Sequence, residues 1–316
     1  MKSVDWNLRD VRHARARFPW AKTLSWLIAI AVAAKVLWAV WQNPNFQWEV
    51  VRHYLNETSI LHGLETTLSL TVVSMVLGSV IGLVLAIARI SDNALARSIS
   101  SLYIWFFRGT PLLVQLIFWY NMSTLFPKVG YTLPWESVGH SWNTNDLITP
   151  LTAAIAGLAL NEAAYMAEII RAGLSSVDPK QMETAQAFGM SRLRALRRIV
   201  IPQAMRSIIP PAGNQLISMI KATSLVSVIA MSDLLYSAQT IYNRTFEVVP
   251  LLIVAVLWYL LITSVLNLGQ RVLEQRFSRG YGDMGAKAKV GVVSKVARRK
   301  PMPFTADAIE AQGENR

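Results

Sequence analysis

Residues 183–204 read ETAQAFGMSRLRALRRIVIPQA, and this segment decides how the rest of the chain is interpreted. Four arginines fall between positions 192 and 198, yet strongly apolar stretches lie on both sides. The whole chain is 53% hydrophobic and 16% charged, with a mean hydropathy of +0.34, whereas soluble domains contain about 25% charged residues. Because the apolar residues come in long blocks, the composition indicates an integral membrane protein. The quoted segment is then a charged connection between membrane helices.

Six apolar stretches are long enough to cross a bilayer, which needs about 20 residues per helix. The stretch at 66–88 has no charge and contains Gly78 and Gly82 in a GxxxG pattern. That pattern is typical of a close helix contact, although a simple face of small residues gives the same spacing. Charges or prolines interrupt two of the stretches, 148–170 and 207–232. The predicted spans are 23–41, 66–88, 109–127, 148–170, 207–232 and 248–270.

Basic residues alternate from one connection to the next. Residues 1–22 contain six Lys/Arg, residues 171–206 contain seven, residues 271–316 contain ten, and the loop after 66–88 contains Arg89 and Arg97. The other three connections contain one each. The positive-inside rule therefore places both termini and the quoted segment in the cytoplasm. Residues 1–22 are too charged for the apolar part of a signal peptide, so helix 23–41 is predicted to be retained.

The quoted segment has the signals of a folded pair of short helices. Asp178 is a suitable N-cap, Pro179 occupies the first helical position, and Gln181 lies where it completes a capping box. Gly189 ends this helix in a left-handed conformation, and Ser191 caps the next. The second helix has an apolar stripe of Leu193, Leu196 and Val200 and is disturbed or ended by Pro202.

A folded cytoplasmic loop suggests a partner, and two kinds fit. The spacing of Ala185, Gly189 and Ser191 is that of a DNA-binding helix-turn-helix, with arginines suited to phosphate. However, no third helix is available to complete a small core, and a membrane span follows within a few residues. The loop is therefore interpreted as a docking site for a soluble motor protein, with no nucleic-acid partner.

The loop closely resembles the signature of ABC importer permeases, which is EAA, three residues, Gly, nine residues, Ile, one residue and Leu-Pro. Only two positions depart from it, Thr184 for Ala and Ile201 for Leu. The stretches FFRGTPLLVQL (106–116), NEAAYMAEIIRAGLSSV (161–177) and PQAMRSIIPPAGNQLISMIKATSLVSVI (202–229) resemble the branch that carries polar amino acids. The resemblance covers about residues 60–280.

The resemblance implies that the transporter consists of several subunits with separate roles. Two copies of an ATPase would bind ATP and Mg, a second identical or related permease would complete a dimer, and an extracytoplasmic binding protein would deliver a polar amino acid. The chain itself contains no phosphate-binding loop of the GxxxxGK[ST] type, so it is predicted to be a transport subunit and not an enzyme. The residues assigned to ATPase coupling are Glu183, Thr184, Ala185, Gly189, Ile199 and Pro202. Glu183 and Gly189 would also suit a capping and solubility role.

Ionisable residues at membrane depth cost about 2.5–3.5 kcal/mol on insertion scales, so they usually face an aqueous path or each other. A zwitterionic amino acid needs a cation for its carboxylate and an anion for its ammonium group. Arg108 or Lys221 would serve the first need, and Glu162 or Glu168 the second. An internal charge network that fixes the helix bundle explains the same residues, and the two roles are compatible. The predicted translocation site comprises Arg108, Thr110, Gln115, Asn161, Glu162, Glu168, Lys221, Thr223 and Ser224.

The expected fold is an all-α bundle in the bacterial cytoplasmic (inner) membrane, with five core helices and one extra N-terminal helix. The predicted divisions are a basic N-terminus at 1–22, the additional helix at 23–41, a permease domain at 60–280 with the EAA loop at 172–206, and a flexible tail at 285–316. Lys35 in the extra helix is expected to snorkel or pack, and the tail to be solvated, with attraction to anionic lipid as the alternative. No metal site is expected, since the chain lacks cysteine and no ligand cluster stands out. A self-contained channel or secondary transporter remains the alternative function, and the charges of both signs leave the amino acid open.

Overall fold

The computed structural model describes residues 20–131 and 140–278, and almost all of them are helical. Residues 1–19 of the predicted N-terminus at 1–22 lie outside this range, and so does the predicted tail at 285–316. The helices and strands are α1 (Trp20–Gln42), α2 (Trp48–Tyr54), α3 (Thr58–Ile90), α4 (Ala94–Gly109), α5 (Leu112–Tyr120), α6 (Met122–Leu125), β1 (Lys128–Tyr131), β2 (His140–Asn143), α7 (Thr144–Leu147), α8 (Pro150–Ser175), α9 (Pro179–Ala187), α10 (Arg192–Ala195), α11 (Ile201–Ala222), α12 (Leu234–Thr245) and α13 (Val248–Ser278). Short 3-10 turns occupy Pro44–Phe46 and Thr223–Ile229, and a π-helical turn occupies Leu196–Val200.

Four helices of the described chain are long and apolar enough to cross a membrane, namely α1, α3, α8 and α13. Two further helix pairs meet the same test only when joined across a sharp bend, which gives up to six spans. The long helices extend beyond the predicted spans: α3 begins at Thr58 and not near residue 66. The apolar block marks only the part that suits hydrocarbon, whereas the helix continues through polar residues such as His62 and Glu65.

The span predicted at 109–127 contains the second arm of a bent helix pair. Helix α4 ends at Gly109, and α5 leaves it at an angle of 102°. Thr110 is extended, with φ −114° and ψ 143°, as expected for the residue before a proline, because the ring of Pro111 disfavours helical backbone there. Residues 94–109, most of which fall in the predicted connection after the span at 66–88, form the first arm of this bent pair.

In the other two stretches, charges and prolines interrupt the run of apolar residues but do not break the helices. Helix α8 continues without a break past Glu162 and Glu168. Helix α11 continues through Pro210 and Pro211, and the bend comes later, between Ile229 and Leu234, at 45°. Residues 234–245, predicted to be a connection, form helix α12.

Helix α8 is the centre of the bundle, and its most extensive packing is against α3. Two glycines of α3 allow this close approach. A Cβ atom at Gly78 would lie 2.8 Å from Cβ and Cγ of Glu162, and one at Gly82 would lie 2.8 Å from Cβ of Met166. Real Cβ atoms do not tolerate such distances, so the GxxxG pattern is a close helix contact in this chain.

Two parts lie outside the bundle core. Helix α1 is exposed along most of its length, and Trp41 at its end stacks on Trp48 with ring centroids 5.9 Å apart. Strands β1 and β2 form an antiparallel hairpin between α6 and α7. The hairpin is held at its base by Thr144, whose amide donates to the Pro127 carbonyl at 3.1 Å.

Candidate functional site

The bend between α4 and α5 leaves carbonyl groups without helical partners, and two amide side chains bind them. Gln115 Nε2 donates to the Phe107 and Thr110 carbonyls, both at 3.1 Å, and to Thr110 Oγ1 at 2.7 Å. Asn161 Nδ2, from α8, donates to the same Phe107 carbonyl at 3.0 Å and to Gln115 Oε1 at 3.2 Å. Three predicted site residues, Thr110, Gln115 and Asn161, are therefore brought together, and here they stabilise the bend.

Glu162 is the most deeply buried acid of the predicted site, with 1% of its surface exposed. The Cβ and Cγ atoms of its side chain lie against Gly78. Gln215 Nε2, from α11, donates to Glu162 Oε2 at 2.9 Å. Within the described chain, Oε1 has no hydrogen-bond partner. A buried carboxylate that lacks a partner is costly, so this geometry favours a positively charged or hydrogen-bond-donating ligand beside it.

A cavity of about 330 Å³ opens beside this carboxylate, and we call it the Glu162 cavity. Its size is at the lower end of the roughly 300–1,000 Å³ typical of small-molecule sites. Polar side chains from two helices, α8 and α11, mix with apolar ones in its lining. The lining residues are Leu112, Asn161, Glu162, Tyr165, Gln215, Ser218, Met219 and Ala222.

A second cavity of about 310 Å³, the Arg108 cavity, lies further along the same two helices and shares Tyr165 with the first. The Arg108 guanidinium lies 5.4 Å from the centre of the Tyr165 ring, a cation–π contact. Glu168 also lines this cavity, but its carboxylate is engaged by Arg171 Nε at 3.1 Å to each oxygen and by Arg171 Nη2. Arg108 itself forms no ion pair with a residue in the described ranges.

Three predicted site residues lie away from these cavities. The Thr223 hydroxyl donates to the Ile220 carbonyl at 2.6 Å, and the Ser224 hydroxyl donates to the Lys221 carbonyl at 2.7 Å. Lys221 is exposed and lines neither cavity. The assignment of Lys221, Thr223 and Ser224 to a substrate site stays a prediction. Their positions give it no further support.

The charged loop forms two helices, as predicted. Asp178 accepts from the Lys180 amide at 2.9 Å, which caps α9 without the predicted capping box. Gly189 has φ +80°. The Gly189 amide donates to the Gln186 carbonyl at 2.9 Å and the Met190 amide to the Ala185 carbonyl at 3.0 Å, which is the Schellman arrangement that glycine allows.

The second helix of the loop differs from the prediction. Ser191 precedes α10, although its side chain makes no capping hydrogen bond in the described structure. Leu193 of the predicted apolar stripe is 75% exposed. Pro202 does not end the helix: a π-helical turn at Leu196–Val200 precedes it and joins α10 directly to α11. This turn accommodates the proline, because a wider turn removes the need for its missing amide hydrogen.

The exposed surface of the loop includes large apolar side chains beside charged ones. Phe188 is 84% exposed, while Ala185 is buried between the two helices. Glu183, Thr184 and Gly189 are exposed at the tip or on the outer face of α9. Ile199 is half-buried and Pro202 is exposed at the junction with α11. Exposed large apolar groups on a folded polar loop are typical of a protein-binding surface.

Comparison with known proteins identifies the architecture. The family model of binding-protein-dependent transport system inner membrane components matches residues 78–279. The chain belongs to this family. The matched part of the permease begins at Gly78 within α3 and continues to the end of α13. It therefore includes α8, the loop and both bent helix pairs.

Relatives of the permease are transport components for amino acids and related compounds. The permease is 43% identical over 263 residues to the arginine transport system permease protein ArgU of Corynebacterium glutamicum, covering 81% of this chain and 80% of that one. It is 37% identical to the L-cystine transport system permease protein TcyB of Bacillus subtilis, over 69% of this chain and 86% of that one.

Solved structures support the same fold. A crystal structure of an amino acid ABC transporter with histidines matches the permease at 36% identity and a TM-score of 0.58, over 69% of this chain and 94% of that one. A methionine ABC transporter in an inward-facing conformation matches with a TM-score of 0.56 over 70% of this chain and 97% of that one. At 17% identity the second match shows the fold alone.

Three polar residues that line the Glu162 cavity or bind a predicted site residue were not indicated by the sequence. Tyr165 and Gln215 line the Glu162 cavity, and Arg171 holds Glu168. Tyr165 lies four residues after Asn161 and three before Glu168, so helical spacing places all three near one face of α8, which was the available signal. Gln215 carried no such signal, because only packing of α11 against α8 brings it to Glu162.

Asp233 was also missed, because it appeared to lie in an outer loop. It is fully buried. Its carboxylate accepts from the Tyr236 amide at 2.9 Å and the Leu235 amide at 3.3 Å, and the Tyr259 hydroxyl donates to it at 3.4 Å. The Leu234 amide donates to Thr67 Oγ1 at 3.1 Å. These contacts tie the beginning of α12 to α3 and α13.

Proposed function

We propose that the chain is the membrane-spanning subunit of an ATP-driven importer of a polar amino acid in the bacterial cytoplasmic membrane. Its family membership, the names of its relatives and the two intramembrane cavities support this function. In this proposal six spans, two of them bent, place both termini in the cytoplasm. The chain carries no ATP site of its own, and two ATPase subunits, a second permease subunit and an extracytoplasmic binding protein complete the transporter.

The observation that carries the substrate proposal is the buried Glu162 carboxylate beside a polar cavity. Oε2 is bound by Gln215 and Oε1 has no partner in the described chain, so a cationic group in the Glu162 cavity would satisfy it. Arg108, in the adjoining cavity, is the cation available for the carboxylate of the same ligand. We therefore propose a cationic amino acid and choose arginine as the first to test, in line with the 43% identical arginine permease.

Substitution of Glu162 by Gln tests this assignment, because glutamine keeps the shape and the packing against Gly78. Removing one partner of a desolvated charge contact costs about 2–5 kcal/mol, or roughly 30- to 5000-fold in affinity at tenfold per 1.4 kcal/mol. We expect uptake of labelled arginine by the reconstituted complex to fall strongly, and uptake of a neutral polar amino acid to fall less or to rise.

Glu168→Gln is the matched control, because Glu168 is on the same helix but is already held by Arg171. A variant Glu162→Gln that folds, assembles and transports arginine at the wild-type rate would remove Glu162 from the site. If the reconstituted chain moves solute without ATP and without an ATPase, the channel or secondary-transporter alternative replaces the importer.

The loop between α8 and α11 is proposed to couple the permease to the ATPase. Its exposed apolar groups, Phe188 and Leu193, flank the Gly189 turn, and α10 continues into α11 through the π-helical turn. A displacement of the loop would thus be transmitted along one helix toward the Glu162 cavity. The same continuity disfavours DNA binding, because the second helix of the loop leads directly into a membrane-spanning segment.

Substitution of Gly189 by Arg tests the coupling role. Arginine is strained at φ +80° and introduces a bulky charge at the turn. The turn has open space around it, since a Cβ atom at Gly189 would meet no atom within 4 Å in the described structure, so the bundle should still fold. We expect solute-stimulated ATP hydrolysis by the complex to collapse while the permease still inserts.

Gly269→Arg is a suitable comparison, since Gly269 also has open space around it but lies on α13, away from the loop. Wild-type ATPase stimulation and uptake in Gly189→Arg would show that the loop is not the docking site.

A further inference from the structure

A third cavity lies next to the Arg108 cavity, beside α11. Tyr165 lines both the Glu162 cavity and the Arg108 cavity, and Ser207 lines both the Arg108 cavity and the third one. The three cavities therefore follow one another along α11. The third, which we call the Arg206 cleft, has a volume of about 470 Å³ and lies where the connection from α8 to α9, the start of α9, α11 and the end of α13 meet.

The polar lining of the Arg206 cleft combines one cation and one anion with neutral hydrogen-bonding groups. These residues are Ser176, Asp178, Gln181, Gln203, Arg206 and Ser207. The Ser176 hydroxyl, at the C-terminal end of α8, donates to the Ser207 hydroxyl of α11 at 3.0 Å. Such a lining is matched to a small ligand that carries both charges.

The two charged groups of the cleft are available to a ligand. In the part of the chain that the structure describes, Arg206 forms neither an ion pair nor a hydrogen bond. Asp178 uses Oδ1 to accept from the Lys180 amide at 2.9 Å, and its other oxygen has no partner among the described residues. A guanidinium binds a carboxylate with paired hydrogen bonds, and a carboxylate accepts from an ammonium group.

We propose that the Arg206 cleft is a second amino-acid site at the cytoplasmic mouth of the path, and that imported amino acid bound there slows further import. Arg206 binds the α-carboxylate of the amino acid, and Asp178 binds its α-ammonium group, with Gln181 and Gln203 as neutral contacts. This proposal rests on the proposed function and topology given above.

The position of the cleft explains why its occupancy would slow transport. Asp178 caps α9 of the coupling loop, whereas Gln203 and Arg206 lie on α11. A ligand that bridges them ties the loop to α11. Because a ligand shifts a protein toward the state that it binds more tightly, a high concentration of product holds this arrangement and opposes the movement that each transport cycle requires.

The test uses proteoliposomes that contain the complete complex, with ATP trapped inside and the binding protein and labelled arginine outside. Complexes inserted in the opposite direction are silent, because their binding protein is on the wrong side. Unlabelled arginine is trapped in the lumen at rising concentrations, and the initial rate of uptake is measured. We expect uptake by the wild-type complex to fall as luminal arginine rises.

Two variants remove one charge each from the cleft, Arg206→Gln and Asp178→Asn. Asparagine retains the ability to cap α9, so Asp178→Asn decides the outcome if Arg206→Gln does not assemble. In either variant we expect the half-inhibitory luminal concentration to rise about tenfold or more, as when one charged contact to a ligand is removed. Arg276→Gln is the control, since Arg276 lies on the last turn of α13 and does not line the cleft.

The outcomes separate the two proposals. Empty wild-type vesicles that do not accumulate arginine contradict the proposed function. Normal uptake from empty vesicles that luminal arginine does not slow overturns the cleft site alone. Inhibition that is unchanged in Arg206→Gln and Asp178→Asn also overturns it, because the inhibitory site then lies elsewhere in the complex.

Discussion

In both bent helix pairs, side chains bind backbone groups that the bend leaves without helical partners. In one pair these groups are at the end of a helix, and in the other they are at the start. At the bend between α4 and α5, the carbonyl groups at the end of α4 are bound by amide donors from Gln115 and Asn161. At the bend before α12, the amide groups at the start of α12 are bound by oxygens from Asp233 and Thr67. Each bend is possible inside a membrane because side chains replace the lost backbone hydrogen bonds.

The bends differ in what produces them. Pro111 disfavours a helical conformation at Thr110 and produces the sharper turn, 102°. The second bend, 45°, contains neither proline nor glycine. There Ala230 adopts a left-handed conformation, with φ +56°, which is uncommon for alanine. That conformation lets the Ala230 amide donate to the Ser227 carbonyl at 3.1 Å and the Met231 amide donate to the Val226 carbonyl at 3.3 Å. Because the Leu234 amide is bound by Thr67 of α3, the second bend also depends on a residue that is distant in the chain.

Loss of the Asp233 carboxylate should have the largest effect on either bend. Asp233→Ala removes the cap of α12 and the acceptor of the Tyr259 hydroxyl in a fully buried position. The loss of a cap costs about 0.5–2 kcal/mol, and each buried donor left without a partner costs about 1–3 kcal/mol. We expect destabilisation of about 2–4 kcal/mol, measured as the free energy of unfolding in detergent.

Asp233→Asn is the matched control, since asparagine retains one acceptor oxygen and caps helices well. It should lose less than half as much stability as Asp233→Ala. The chain has no cysteine, so spin labels at Leu61 on α3 and Thr240 on α12 can report the geometry of the bend. Their distance distribution should broaden in Asp233→Ala. Wild-type stability together with a narrow distribution would show that Asp233 does not hold the second bend.

The sequence predicted the parts of the fold that depend on local chemistry. Hydropathy located the long spans, the GxxxG pattern indicated the contact of α3 with α8, and capping signals located α9 and the Gly189 turn. Each of these depends on residues that are close in the chain or on composition over about 20 residues. The bend at Pro111 is also local, because the proline ring acts on the residue directly before it.

The remaining features depend on contacts between distant segments. Pro210 and Pro211 resemble Pro111 in sequence, yet α11 continues through them, and Gln270 from α13 donates to the Pro210 carbonyl at 3.4 Å. Asp233 resembles an outer-loop residue until Thr67 and Tyr259 are brought to it. For the candidate site, helical spacing placed Asn161 and Glu168 near one face, but the pairing of Glu162 with Gln215 and of Glu168 with Arg171 could not be assigned from spacing alone.

A smaller effect is expected at the first bend, where a proline and two side chains act together. Gln115→Ala and Asn161→Ala each remove donors to the Phe107 carbonyl, and the two side chains also contact each other at 3.2 Å. Each substitution should cost about 1–3 kcal/mol. Because the pair shares an acceptor, the double variant should show a coupling free energy of about 0.5–3 kcal/mol.

The control for this double-mutant cycle combines Asn161→Ala with Asp233→Ala. Asn161 and Asp233 have entirely different hydrogen-bond partners. Their effects on the free energy of unfolding should add to within about 0.5 kcal/mol. The bent pair should also persist in Gln115→Ala, because Pro111 still disfavours a helical Thr110. Additive effects of Gln115→Ala and Asn161→Ala would show that the two amides do not act as one unit. Each amide would then stabilise the first bend independently of the other, whereas Asp233 alone accepts several hydrogen bonds at the second.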